Sequence, residues 1–285
     1  MKNLLKFGLA CILTTVCGQA FAIDNHSATH QVEDDKLQAV LAQQTKEAQA
    51  RYQYRHPYET LKFFGIKPGM TVVETLPYSG WYTKIIAPYL GKEGHMIAGE
   101  YPVDLWKLFE WADDNYIQER IKDTETFPQR IKLWAPTDTP TASAYSFDAM
   151  PDTLNNTVDA VLFVRSLHNI NRFNASHQYG DNILKTSYRI LKPGGIVGIV
   201  QHQSALKNLT GETGYLNRDE LVASVEKAGF TLVAESDINK NSKDQPTAED
   251  YVWRLPPGLD ADTEEDKQRN LAIGESNRMT LLFKK

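Results

Sequence analysis

The stretch IKPGMTVVETLPYSGWYTKIIAPYL, residues 66 to 90, decides the reading of this chain. Within it, MTVVET (70 to 75) is a short apolar run rich in β-branched residues and bounded by turn formers, and Trp81 to Leu90 has helical spacing. Strand, turn and helix in that order make the first half of a βαβ unit. Outward from it the pattern repeats, with apolar runs at HMIAGEY (95 to 101), RIKLW (130 to 134), VDAVLFV (158 to 164), GIVGIVQH (195 to 202), FTLVAES (230 to 236) and RMTLLFK (278 to 284). Helical spacing recurs at 103 to 121, 179 to 191 and 218 to 228. No helix is expected between the last two runs, which are linked by a Pro- and Asp-rich segment, 240 to 270. The expected fold is α/β: a three-layer, Rossmann-like, seven-stranded and mostly parallel sheet with one antiparallel edge strand.

Ahead of this pattern, Lys2 and Lys6 precede an apolar stretch from Phe7 to Cys17, and Ala20-Phe21-Ala22 supplies small residues for cleavage. Residues 1 to 22 read as a secretory signal peptide, cleaved near Ala22, which implies a periplasmic or secreted product. Residues 23 to 56 read as a polar segment, irregular to 33, followed by an amphipathic helix from Asp34 to Arg55 carrying Leu37, Val40 and Leu41. Residues 57 to 285 then form the α/β domain. The apolar run of the leader is shorter than the ~20 residues of a membrane span, and stable membrane insertion is not expected once the leader is gone. Both cysteines, Cys11 and Cys17, lie in the leader, so no disulfide, thiolate nucleophile or cysteine metal ligand is expected after cleavage. The formal net charge is −5 and grows more negative without Lys2 and Lys6, which disfavours nucleic acid as a partner.

In an open α/β sheet, ligands bind beyond the carboxyl ends of the strands, near the point where strand order reverses. Polar and titratable residues collect at those ends: Glu74 and the turn Leu76 to Tyr82 after the first run, Glu100 after the second, Arg165, Ser166, His168 and Asn169 after the fourth, and His202 after the fifth.

At this point the chain resembles a family. IKPGMTVVE (66 to 74), VDAVLFVRSLHN (158 to 169) and LKPGGIVGIV (191 to 200) are similar to the class I S-adenosylmethionine-dependent methyltransferases. RHPYETLKFFGIKPGM, GWYTKIIAPYLG, LKPGGIVGIVQH and AIGESNRMTL further resemble a group of exported bacterial proteins described as methyltransferases. The resemblance spans roughly residues 51 to 285. It implies S-adenosylmethionine as cofactor, with Glu74 at its amino-acid end and Glu100 on the ribose hydroxyls. Pro77, Gly80, Trp81 and Tyr82 match the exported group's loop, and Arg165 and Asn169 fall where the family faces methyl donor and acceptor. The chain departs from the family at Leu76 and Tyr78, which replace two glycines of a GxGxG-type turn.

Each residue also has a plainer reading. Glu74 could accept hydrogen bonds from loop amides, Glu100 could be a solvated strand end, and Arg165 and Asn169 could cap the following helix. Trp81, Trp106, Trp111, Trp134 and Trp253 are more often core than ligand stackers, and of these only Trp81, with Tyr82 beside it at the mouth of the loop, is read as a site residue. His168 and His202, at adjacent strand ends, are the candidate catalytic bases.

The function expected is an S-adenosylmethionine-dependent methyltransferase acting on a small-molecule acceptor. The alternative is an exported, non-catalytic small-molecule-binding protein on the same fold. A metal hydrolase built on Glu74, His168 and His202 is a third reading, but no short ligand spacing such as HExxH supports it, and no metal is expected.

Overall fold

The structure, a computed structural model, describes the backbone of residues 17–285 and side chains from Thr29 onward. Most of the expected signal peptide falls on residues 1–16, outside the described residues. Among the described residues, no helix is long and apolar enough to cross a membrane.

Helix α1 (Cys17–Ala42) is followed by the short helices α2 (Lys46–Gln49), α3 (Tyr52–Arg55) and α4 (Pro57–Phe63). The single helix expected over 34 to 55 is therefore broken, and residues 23 to 33, expected to be irregular, belong to α1. The break follows from local chemistry: Thr45 caps α2 by accepting from the Ala48 amide at 3.2 Å.

The domain then alternates: β1 (Thr71–Thr75), α5 (Thr83–Leu90), β2 (His95–Glu100), α6 (Val103–Trp106), α7 (Asp114–Trp134), β3 (Thr141–Ser146) and β4 (Val158–Val164). After β4 come α8 (Leu167–Arg172), α9 (Asn174–His177), α10 (Tyr179–Ile190), β5 (Leu191–Ser204), β6 (Leu216–Asn217), α11 (Arg218–Lys227), β7 (Thr231–Ser236), α12 (Glu264–Ile273) and β8 (Arg278–Lys284). The main sheet runs β3-β2-β1-β4-β5-β8-β7, and the two-residue β6 pairs with the end of β5. Neighbours from β3 to β5 are parallel, and β8 is antiparallel to both β5 and β7. This is the expected Rossmann-like sheet; its antiparallel strand sits one place in from the edge, with β7 outside it.

Three elements correct the expectation, and the helical stretch expected over 103 to 121 is divided between α6 and α7. RIKLW (130 to 134) is the last turn of α7, because Phe127 and Ile131 are a helical step apart and both buried while Leu133 faces solvent. The third strand is instead TASAYS (141 to 146), whose small and polar residues give little apolar signal at the sheet edge. The segment 240 to 270, expected without a helix, holds the start of α12, which Thr263 caps by accepting from the Asp266 amide at 3.1 Å.

Successive residues along each strand face opposite layers. Val73, Ile97, Val161 and Phe163 join one core with residues of α6, α8, α10 and α11. Val72, Met96, Ala160 and Leu162 join the other with Leu37, Val40 and Leu41 of α1 and residues of α4, α5 and α7. Both faces are covered, which gives three layers and leaves the carboxyl edge of the strands as the open side.

Candidate functional site

Strand order reverses between β1 and β4, and a cavity of about 690 Å³ opens beyond their carboxyl ends. It is lined by Glu74, Pro77, Trp81, Tyr82, Arg165, His168, Asn169 and His202, all expected from sequence, together with Leu76 and Tyr78. Gly80 supports the loop from behind: its φ is +75°, and an added Cβ would lie 2.5 Å from the Trp134 ring. Glu100 lines a separate cavity of about 190 Å³ with Tyr101, Trp106, Arg120 and Ser146.

The loop after β1 has an unusual backbone. Leu76, Tyr78 and Gly80 take φ of 55°, 47° and 75°, so all three positions of the glycine pattern are left-handed although two carry side chains. The Leu76 amide donates to the Gly99 carbonyl at 2.9 Å and the Gly80 amide to the Pro77 carbonyl at 2.7 Å, which fixes the turn against β2. Leu76 is buried in the core. Tyr78 stands between the two cavities, touching Trp106 edge-on at 6.5 Å and lying 5.2 Å from the Arg120 guanidinium. Its hydroxyl is 3.4 Å from that of Tyr116, and its carbonyl accepts from Arg130.

The two acids are buried. Glu74 accepts from the Thr83 hydroxyl at 2.6 Å, so its partner is the first turn of α5 rather than the loop amides. Burial pushes its carboxyl up to about 7, against the Thr83 hydrogen bond and the nearby Arg165. Burial likewise raises Glu100 to about 7 against the pull of Arg120, and Glu100 Oε2 has no hydrogen-bond partner. Glu100 is therefore not a solvated strand end.

Arg165 and Asn169 do not cap α8, whose first position is preceded by Ser166 without a side-chain cap bond. Arg165 has φ of 59°, and its amide donates to Val200 at 2.7 Å. The two imidazoles do meet, with ring centroids 5.7 Å apart. His168 Nδ1 lies 3.4 Å from Gln201 Nε2, and His202 Nδ1 lies 2.6 Å from the Ser276 hydroxyl. Burial lowers His168 to about 4 and drives His202 well below its ordinary range, with Arg278 adding to the latter. Both are neutral at pH 7 and weakly basic. Glu74, His168 and His202 do not converge as a metal triad: no group of three or more His, Cys, Asp or Glu could hold a metal ion among the described residues.

Sequence reasoning missed Phe109, Trp111, Tyr251 and Trp253, which also line the large cavity. Trp111 and Trp253 are 56% and 46% exposed at its mouth, whereas Trp106 is core. They come from segments after α6 and after β7 whose approach to the site is a tertiary matter, so no local signal marks them.

No family model and no curated protein matches the chain. Solved structures resemble it loosely. An S-adenosylmethionine-dependent methyltransferase from Aquifex aeolicus is 20% identical, over 67% of this chain and 87% of that one, with a TM-score of 0.46. The [4+2]-cyclase SpnF is 14% identical over 81% and 80%, with a TM-score of 0.49. An arsenic(III) S-adenosylmethionine methyltransferase from Chlamydomonas reinhardtii is 14% identical over 87% and 72%, with a TM-score of 0.44. At these values the fold rests on the sheet order of this chain itself, not on those proteins.

Proposed function

We propose that this chain is an S-adenosylmethionine-dependent methyltransferase acting on a small-molecule acceptor. The observation that carries the reading is the left-handed backbone at 76, 78 and 80, set at the strand-order reversal between two buried acids. A turn of that shape lets a ligand approach main chain closely, which is why glycine usually occupies it. The unpartnered Glu100 Oε2 is a ready acceptor for a ribose hydroxyl, and Glu74, which lines the large cavity, is the acid assigned in this reading to the amino-acid end. The residues therefore fit the cofactor, with Tyr78, packed on Trp106 and Arg120 of the small cavity, a side chain that must yield for a ligand to reach both cavities.

When bound, the cofactor would supply an activated methyl group. Pro77, Trp81 and Tyr82 form the wall against which it is oriented, and Arg165 and Asn169 face the acceptor side. Neutral His168 and His202 can take a hydrogen bond from an acceptor but are weak bases, so rate comes mainly from positioning. We also propose that the chain is exported and cleaved near Ala22. Intact-mass measurement of secreted material tests this, and a product retaining residues 1 to 22 contradicts it.

Titration calorimetry with S-adenosylmethionine and S-adenosylhomocysteine tests the central reading. Both are expected to bind, and Glu100→Ala is expected to weaken each by about 1.5–3 kcal/mol per hydrogen bond lost while leaving the circular dichroism spectrum unchanged. Equal affinities remove Glu100 from the site; no binding to the wild-type protein removes the reading. The position of Tyr78 between the cavities favours the second reading, a binding protein without catalysis, and turnover-free binding of a small molecule in the absence of cofactor binding would select it.

A further inference from the structure

The large cavity holds donors that lack acceptors. Among the described residues the Arg165 guanidinium has neither an ion pair nor a hydrogen bond, although it lines the cavity. Beside it in sequence, Ser166 is 1% exposed and its hydroxyl has no partner. Trp81, on the same wall, has a buried indole N–H without a partner. A buried donor left unpaired is unfavourable, and such groups persist where a ligand satisfies them.

The charge around these donors is also unbalanced. Behind Arg165 lie Arg55 and Arg278, each 3% exposed, which share the carboxylate of Glu275 with Arg51. Arg55 also lies 4.5 Å from the Trp81 ring. Glu74 is the other acid beside Arg165, and burial leaves it only partly ionised near neutral pH. Buried Arg55 and Arg278, part-exposed Arg51 and half-buried Arg165 thus share one full carboxylate. An uncompensated buried charge is strongly unfavourable, and an anion from outside relieves it. At the mouth of the same cavity, half-exposed Trp111 and Trp253 and the ring of Tyr251 offer flat faces to a planar body.

We propose that the large cavity recognises an aromatic carboxylate, its acid group held by Arg165 with the Ser166 hydroxyl and the Trp81 indole N–H, and its ring against the mouth tryptophans. Resting on the methyltransferase reading of this site, that compound is the methyl acceptor: a ring hydroxyl or ring N–H would form the new bond to the methyl carbon as the sulfonium C–S bond breaks to leave S-adenosylhomocysteine, and its proton would pass to solvent. Arg165 supplies a planar fork of donors that matches a carboxylate, which lysine does not.

Calorimetry on the full mature chain tests this with 4-hydroxyphenylacetate and indole-3-acetate, each paired with its amide. At least one acid is expected to bind roughly tenfold or more tightly than its amide, the size of a charge-assisted hydrogen bond. Arg165→Gln should reduce the acid to the affinity of the amide, and Arg165→Lys should restore part of the difference. Trp81→Phe, which keeps a ring and removes the donor, should weaken the acid and spare the amide. Acid and amide binding alike, no binding by either acid up to millimolar concentration, or an unchanged Arg165→Gln each overturn the proposal. So does a result in which the acids bind only when S-adenosylhomocysteine is absent and Arg165→Gln weakens S-adenosylhomocysteine but not 5′-methylthioadenosine, because the anion site then belongs to the cofactor. Acid recognition without S-adenosylhomocysteine binding keeps the carboxylate site but sinks the methyltransferase reading and with it the acceptor role; S-adenosylhomocysteine binding without acid recognition keeps that reading and overturns this proposal.

Discussion

Glu275 and Glu100 are both buried carboxyl groups, and their surroundings drive them in opposite directions. Burial alone would raise Glu275, but Arg278, Arg55 and Arg51 outweigh it and hold the carboxyl at about 2. Its folded value lies below the ~4.3 of an unfolded chain, so the stability it contributes is complete above ~4.3 and is lost as pH falls towards 2. Glu275→Gln leaves its arginines uncompensated and should lower unfolding free energy by about 3–5 kcal/mol at pH 7, measured by urea denaturation. A loss below 1 kcal/mol would mean that water reaches the cluster. Glu100 behaves in the opposite way. Its folded value, about 7, lies above the unfolded one, so its contribution is complete below ~4.3 and is lost as pH rises through 7. Glu100→Gln should therefore raise the melting temperature at pH 8 and add nothing at pH 4, while weakening nucleoside binding. An equal gain at both pH values would show that titration is not the cause. A residue that lowers stability at working pH and presents an unpaired oxygen fits the ligand role proposed for it better than a role in the fold.

At the scale of elements, the loop after β1 shows why its two departures from glycine differ. Leu76 and Tyr78 share a left-handed backbone that disfavours each by roughly 1–2 kcal/mol, but Leu76 recovers this by burial at 6% exposure while Tyr78 is 37% exposed. Leu76→Gly should therefore destabilise the protein through lost core contact, by about 2–5 kcal/mol. Tyr78→Gly should leave stability unchanged or higher and, by joining the two cavities, raise affinity for S-adenosylhomocysteine. Tyr78→Phe keeps the wall and should not. If Tyr78→Gly lowers that affinity, Tyr78 is a contact rather than a partition. The same local physics decides what could be read beforehand. The cores of β1, β2, β4 and β5 announce themselves because buried parallel strands need apolar runs, antiparallel β8 does so because it too is covered on both faces, and the site residues that follow strand ends come with them. β3 is hidden by its small and polar residues, RIKLW imitates a strand by density of apolar residues alone, and α12 is marked by capping chemistry more than by an apolar face. Trp111 and Trp253 reach the cavity only through the path of long connections, which no periodicity records.

On the scale of the whole molecule, the N-terminal segment is tied into the domain at both of its ends. Leu37, Val40 and Leu41 of α1 are at most 8% exposed and pack in the core beneath α5. The Gln44 amide group donates to the Lys84 carbonyl at 3.0 Å, Lys36 pairs with Asp138 at 2.8 Å, and Tyr52 donates to the Leu41 carbonyl at 2.9 Å. Further along, Arg51 donates to Glu275 at 2.7 Å and Arg278 of β8 donates to the Tyr54 carbonyl at 3.0 Å, so the segment that precedes the sheet also secures its antiparallel strand. Removal of residues 1–22 leaves every one of these contacts in place and should not change the denaturation midpoint. Removal of residues 1–45 strips three buried aliphatic side chains, each contributing about 1.5–3 kcal/mol, from a fold whose whole margin is typically about 5–15 kcal/mol. The longer truncation should lower the midpoint sharply or fail to give a cooperative transition, and it should loosen β8 next to His202, with which Arg278 is in register. Hydrogen exchange separates these effects. Faster exchange in β8 and β5 of a truncated but folded chain would show the coupling, whereas exchange confined to the exposed surface of α5 would show that the N-terminal segment covers the core without holding the site.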